Sequence, residues 1–164
     1  MSRPSRRKAR EAALQLLYQL DLTGTRDEAT FAAYWQSWPD EDQDERTREF
    51  AETLVRFVLE DETRIDAAID AAAKNWDIGR FSRVDLSLLR LAVGELFSSP
   101  EVPAPVVIIE AVEIAHRFSD GRSASFINGV LDRVARDAGR IGKSPSASKA
   151  SASSAASKPK AKAE

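Results

Sequence analysis

Residues 82–96 read SRVDLSLLRLAVGEL, and this stretch carries the helical signal most completely. Ser82 with Asp85 three positions on makes a capping box, a serine side chain and a carboxylate that satisfy each other's backbone donors at a helix start. Val84, Leu88, Leu91, Ala92 and Leu96 then recur every three or four residues, which lines one face of a helix. Ser99-Pro100 closes it, because proline cannot continue a helical hydrogen-bond ladder.

The same period extends in both directions. Downstream, Pro103 and Pro105 suit the first turn of a helix running to Phe118, apolar at Ile108, Ile109, Val112 and Ala115, with Gly121 as its stop. A last helix begins near Ser123 and shows Phe126, Ile127, Val130, Leu131 and Val134 before Gly139 and Gly142. Upstream of Gly79, Ile65, Ala68, Ile69 and Ala72 form one stripe and Phe50, Leu54, Phe57 and Val58 another, as two helices or one bent helix. Thr30 to Trp38 is a brief aromatic helix closed by Pro39, and residues 5–22 form helix one, with Gly24 after it. No stretch alternates with period two. The chain is therefore expected to be all-α, with no long-period repeat to suggest a solenoid.

Its 164 residues, 43% hydrophobic and 30% charged, suit one globular domain. No apolar run reaches the roughly 18 residues of a membrane span, and the N-terminus lacks a signal-peptide core, so no membrane role is expected and the cytoplasm is the expected location. With Cys 0 there is neither a disulfide framework nor a thiolate metal site. Beyond Lys143 the chain is nearly all Ser, Ala, Lys and Pro, a composition expected to form a disordered tail over 143–164. The net charge of -2 divides unevenly. Residues 1–10 carry Arg3, Arg6, Arg7, Lys8 and Arg10 without an acid, the tail is also basic, and the remainder holds 14 basic against 25 acidic residues. An acidic body behind a basic arm argues for a localised anion contact.

Catalytic signatures are missing: no nucleophile elbow, no phosphate-cradling glycine loop and no zinc helix. The single histidine, His116, reads as the edge of a packed face. The acidic run Asp40, Glu41, Asp42, Asp44 and Glu45 lacks the glycine turn and ligand spacing of a calcium loop and reads as a solvated helix start. No enzyme activity, metal or cofactor is expected. What the residues do offer is RNA chemistry. Guanidinium forks match phosphate oxygens in charge and geometry, against the alternative of a merely solubilising arm. The loop 119–125, with Phe126 behind it, offers a ring for base stacking, although periodicity alone reads Phe126 as core.

These residues resemble the family of the transcription antitermination factor NusB, over a stretch from Arg6 to about Val134. Phe126-Ile127-Asn128-Gly129-Val130-Leu131-Asp132 is similar to that family's C-terminal signature. Arg7-Lys8-Ala9-Arg10-Glu11 with Leu17-Tyr18, Val84-Asp85 with Leu89-Arg90 and Glu95-Leu96, and Val102-Pro103 with Glu110-Ala111 and Glu113 agree in order. The resemblance implies about seven helices packed as two helical subdomains over residues 11–142, entered through the basic arm 1–10. It also implies antitermination of ribosomal RNA transcription on RNA polymerase, by binding single-stranded boxA-type RNA together with the ribosomal protein NusE. Carried over by position, Arg3, Arg6, Arg7, Lys8, Arg10, Asp120, Arg122, Ser123 and Phe126 would contact RNA, and Tyr18 and Asp85 the protein partner. Ser125 and His116 stand where that family commonly has lysine, and Ile109 where it has a polar residue. The segment Phe31 to Glu45 and the tail have no clear counterpart. The sequence leaves monomer and homodimer both open; an apolar helix face left over from core packing is what would pair two copies and cover the arginines. Other readings are a protein-only helical adaptor, and a stand-alone RNA-binding domain of the kind attached to rRNA methyltransferases.

Overall fold

The computed structural model describes residues 6–38, 44–77, 79 and 81–142. Among them lie seven helices and no strand: α1 Arg6–Thr23, α2 Glu28–Gln36, α3 Glu45–Glu60, α4 Glu62–Ala72, α5 Arg83–Ser98, α6 Ala104–Phe118 and α7 Ser123–Asp137. Arg3, residues 40–43 of the acidic run and the tail 143–164 lie outside the described residues.

The capping box at α5 forms as the sequence predicts. Ser82 Oγ accepts from the Asp85 N–H at 3.1 Å and Asp85 Oδ2 from the Ser82 N–H at 3.2 Å, so two donors left open by helix geometry are satisfied at once. α5 is the central element: α1 and α3 pack on it from one half of the molecule, and α4, α6 and α7 from the other. A contiguous set of buried residues, including Leu16, Leu20, Val58, Leu89, Leu96, Ile114, Ile127 and Leu131, runs through both halves. Gly94 sets how closely α5 approaches α3, since a Cβ there would lie 2.7 Å from Val58 Cγ2.

The stripes of residues 50–72 resolve into two helices. Asp61 ends α3 and begins α4, with φ -112° and ψ 21°, outside the helical range. The brief aromatic helix runs Glu28–Gln36, two residues earlier than its apolar pattern suggests, because Asp27 caps it by accepting from the Thr30 N–H at 2.9 Å. One expectation for α6 is corrected. Ile109 does not pack: it is 59% exposed, with Val106 at 42%, because the face turned to α5 and α7 is made by Val107, Ile108, Ala111, Ile114 and Ala115. His116 is accordingly exposed. Past α7, Gly139 takes a left-handed conformation, φ 71°, and carries the chain to Arg140. That guanidinium donates to the Leu96, Ser99 and Val102 carbonyls, closing the turn between α5 and α6.

Candidate nucleic-acid interface

The basic residues expected to act together in fact divide by helix geometry. α1 begins at Arg6 with no acid in its first turn, so its positive end carries further positive charge, an arrangement that gains nothing from the helix dipole. Arg6, Arg7 and Lys8 are exposed. The Arg6 guanidinium stands 5.6 Å from the centre of the Phe50 ring, which favours a cation over an aromatic face, and it has no ion-pair partner among the described residues. Arg7 forms a bidentate pair with Glu110 of α6, at 2.8 and 2.9 Å. That hydrogen bond, with the charge behind it, holds the Glu110 carboxyl below the usual range and raises the Arg7 guanidinium against the smaller cost of burial.

Arg10, one turn on, is placed differently from its expected role. It is 7% exposed and pairs with Glu95 of α5, itself 2% exposed, through bonds of 2.8 and 2.6 Å. Helical spacing brings Arg7 and Arg10 to one side of α1, but the α5–α6 surface covers only the second of them. Arg10 thus ties the start of α1 to α5, with its guanidinium engaged by Glu95. Arg6, Arg7 and Arg10 border an open groove of about 560 Å³ that is also lined by Glu101, Val102, Pro103, Val106 and Glu110.

At the other end of α6 the structure assembles a second cluster. Asp85 was expected to face a protein partner, but it is 3% exposed. Ser119 Oγ donates to its Oδ1 at 2.6 Å and Ser123 Oγ to its Oδ2 at 3.1 Å. The third residue of a capping box must turn back on its own helix start, and here it also holds the loop that leads into α7. Phe126, expected to stack on a base, is 3% exposed. Its ring is stacked on Phe81, centroids 3.5 Å apart and planes 5° apart, and meets the edge of Trp76 at 5.1 Å. The periodicity reading of Phe126 as core describes its position. Trp76 is 43% exposed and presents the accessible aromatic surface of this cluster, a residue the sequence reading passed over although an aromatic just ahead of the break at Gly79 signalled it. Asp120 and Arg122 are exposed and Ser123 is half-buried. The Arg122 N–H donates to Asp120 Oδ1 at 2.8 Å, so the loop is shaped by its own side chain.

Tyr18 is half-buried on a separate groove of about 610 Å³ between α1 and α2, lined also by Gln15, Leu22, Tyr34 and Trp38. Leu22 there is 53% exposed. The Tyr34 hydroxyl donates to the Ala12 carbonyl at 2.8 Å, and burial pushes its ionisation up against a smaller opposing hydrogen bond with Trp38. Neither Asp44 nor Glu45 joins a metal-holding group: among the described residues no cluster of three or more His, Asp or Glu side chains is placed to hold an ion. Asp44 instead caps α3. No described helix is long and apolar enough to cross a membrane.

Comparison with known proteins agrees with this architecture. The NusB family model matches residues 7–136. The transcription antitermination protein NusB of Sorangium cellulosum is 41% identical over 137 residues, 84% of this chain and 96% of that protein. Its counterpart in Geobacter sulfurreducens is 46% identical over 133 residues, 80% of this chain and 94% of that protein. Among solved structures, NusB of T. maritima superposes with a TM-score of 0.72 at 34% identity, covering 84% of this chain and 94% of that one. A chain from the complex of antitermination factors NusB and NusE with double-stranded RNA gives 0.71 at 28% identity, covering 84% and 99%. With the family model and these relatives spanning the same α1-to-α7 body, the chain belongs to the NusB family.

Proposed function

We propose that this protein is a transcription antitermination factor that binds boxA-type RNA of ribosomal RNA transcripts together with the ribosomal protein NusE, within an antitermination complex on RNA polymerase in the bacterial cytoplasm. The observation that carries the RNA part is the exposed cationic edge of α1: Arg6, Arg7 and Lys8 face solvent while the Arg10–Glu95 pair holds the helix start in place. Antitermination function is the name borne by the relatives, and NusE with RNA is what the solved complex contains. The role is one of binding and assembly, not of catalysis.

In this reading the arm, through Arg3, Arg6, Arg7 and Lys8, and the loop 119–125 contact RNA, with Trp76 as the accessible ring. The Tyr18 groove between α1 and α2, uncharged and lined by polar Gln15, Gln19, Thr23 and Ser37 as well as by Tyr18, Leu22, Tyr34 and Trp38, takes the protein partner. Its exposed Leu22 beside Tyr18 and Trp38 suits an interface centre, where apolar and aromatic contacts concentrate. The experiment is a titration of labelled boxA-like RNA, single-stranded and duplex, with this protein alone and with NusE. Binding of the single strand that tightens when NusE is present is the expected result. Association with NusE but no RNA binding under any condition would leave a protein-only adaptor.

On α6, Val106 is exposed in the groove that the α1 arginines line, and Ile109 on the same helix is exposed as well, so two copies pairing through α6 would cover the RNA edge. Sedimentation with and without RNA tests it, since RNA would then drive dimers to monomers.

A further inference from the structure

The groove at the start of α1 is nearly charge-balanced in the free protein. Arg10 is matched by Glu95 inside the fold, and Arg7 by Glu110 at its rim. Glu110 is also 3.9 Å from Arg10, so one carboxylate faces two guanidinium groups. The two ion pairs differ in setting. Arg10 and Glu95 side chains are 8% and 2% exposed, while Arg7 is 46% exposed over a Glu110 that is 19% exposed. The inner pair is locked, and the outer one stands where a solvent-borne anion can reach its cation.

A carboxylate and a phosphate address a guanidinium in the same bidentate way. The Glu110 oxygens, at 2.8 and 2.9 Å from Arg7 Nε and Nη2, therefore occupy the positions two phosphate oxygens would take. We infer that Glu110 is a built-in phosphate mimic: it holds the Arg7 fork in the free protein and must be exchanged for an RNA phosphate on binding. The inference rests on the RNA reading above and adds to it a residue that opposes binding. Exposed ion pairs are weak enough to be exchanged, and a carboxylate left beside the incoming phosphate repels it. Glu110 thus lowers affinity for any phosphodiester and leaves productive binding to RNA that gains further contacts along the surface. Arg6, with no carboxylate partner among the described residues, makes the first contact.

The test is RNA affinity for wild type, E110Q, R7A and the double variant R7A/E110Q, measured with a labelled single-stranded boxA-like RNA at one salt concentration. Thermal midpoints show that each variant is folded. E110Q keeps the side-chain shape and one acceptor while removing the charge. It is expected to tighten binding roughly two- to fivefold, the scale of one exposed charge interaction, and that gain is expected to vanish on the R7A background. If E110Q leaves binding unchanged or weakens it while R7A weakens it, the exchange is wrong and Glu110 only positions Arg7, with the RNA reading intact. If the E110Q gain persists without Arg7, general electrostatics and not exchange explains it. If wild type binds no RNA with or without NusE, the RNA reading itself has failed and the inference goes with it.

Discussion

Arg10 of α1 and Glu95 of α5, 85 positions apart in the chain, form a bidentate ion pair at 2.6 and 2.8 Å with both side chains almost wholly out of solvent. Such a pair adds little over an apolar replacement of the same volume, but removing one partner strands the other charge in a low dielectric. Arg10→Ala or Glu95→Ala is therefore expected to cost about 3–5 kcal/mol of unfolding free energy in urea titration. Arg6→Ala, at an exposed position, is expected to stay within about 0.5 kcal/mol of wild type. Equal losses for Arg6→Ala and Arg10→Ala would contradict the division of the arm into a contact edge and an anchor.

Gly94 brings α5 against α3. A methyl group there meets Val58 Cγ2 at 2.7 Å, and Val58 is 1% exposed among packed neighbours, so it has nowhere to move. Gly94→Ala gains helix propensity of about 1 kcal/mol but overpacks the core at a cost of about 1–3 kcal/mol. Net destabilisation is expected, relieved by adding Val58→Ala. A simple gain in thermal midpoint on Gly94→Ala would show that the two helices part without penalty.

Asp85 closes the cap of α5 and holds Ser119 and Ser123. Asp85→Ala is expected to lose about 2–4 kcal/mol, the sum of a helix cap and hydrogen bonds to a buried carboxylate, and to loosen the loop into α7 in hydrogen exchange. Unchanged stability together with weakened NusE binding would return Asp85 to the role of a partner contact.

Acid is expected to weaken the fold over a defined window. Glu110, Glu62 and Glu28 are held below their ordinary range by hydrogen bonds from Arg7, Arg26 and Arg56 respectively, and Asp27 by the Thr30 hydroxyl. A folded state with depressed carboxyl pKa values binds fewer protons than the unfolded chain. Its stabilisation is then complete above the unfolded values, about 4, and lost as pH falls through the lower folded ones. Thermal midpoints are expected to be flat from about pH 7 to 5 and to fall below about pH 4. A decline beginning above about pH 6 would mean that these pairs do not govern the acid limb.

The fold was legible where its signals are local. Ser82 and Asp85 lie three positions apart, and the box they predict is present; of the α5 stripe, Leu88, Leu91, Ala92 and Leu96 are buried and Val84 half-buried. Local spacing did not tell Arg7 from Arg10, since the carboxylates that separate their roles are 103 and 85 positions away. The exposure of Ile109 and the covering of Phe126 by Phe81 and Trp76 likewise depend on which neighbouring helix or loop arrives. At Asp85 and Phe126, periodicity and capping describe the observed surroundings, whereas roles carried over by position assume a surface that the packing has covered.

The exposed first turn of α1, with Arg6 and Arg7, is expected to meet RNA phosphates. The most direct measurement is the salt dependence of RNA affinity for wild type and Arg6→Ala/Arg7→Ala, the variant being folded. Each phosphate contact on a single strand contributes about 0.7 to the log–log slope. The variant is expected to bind more weakly and with a slope shallower by about 1.4. Identical affinity and slope would place the RNA elsewhere on the protein.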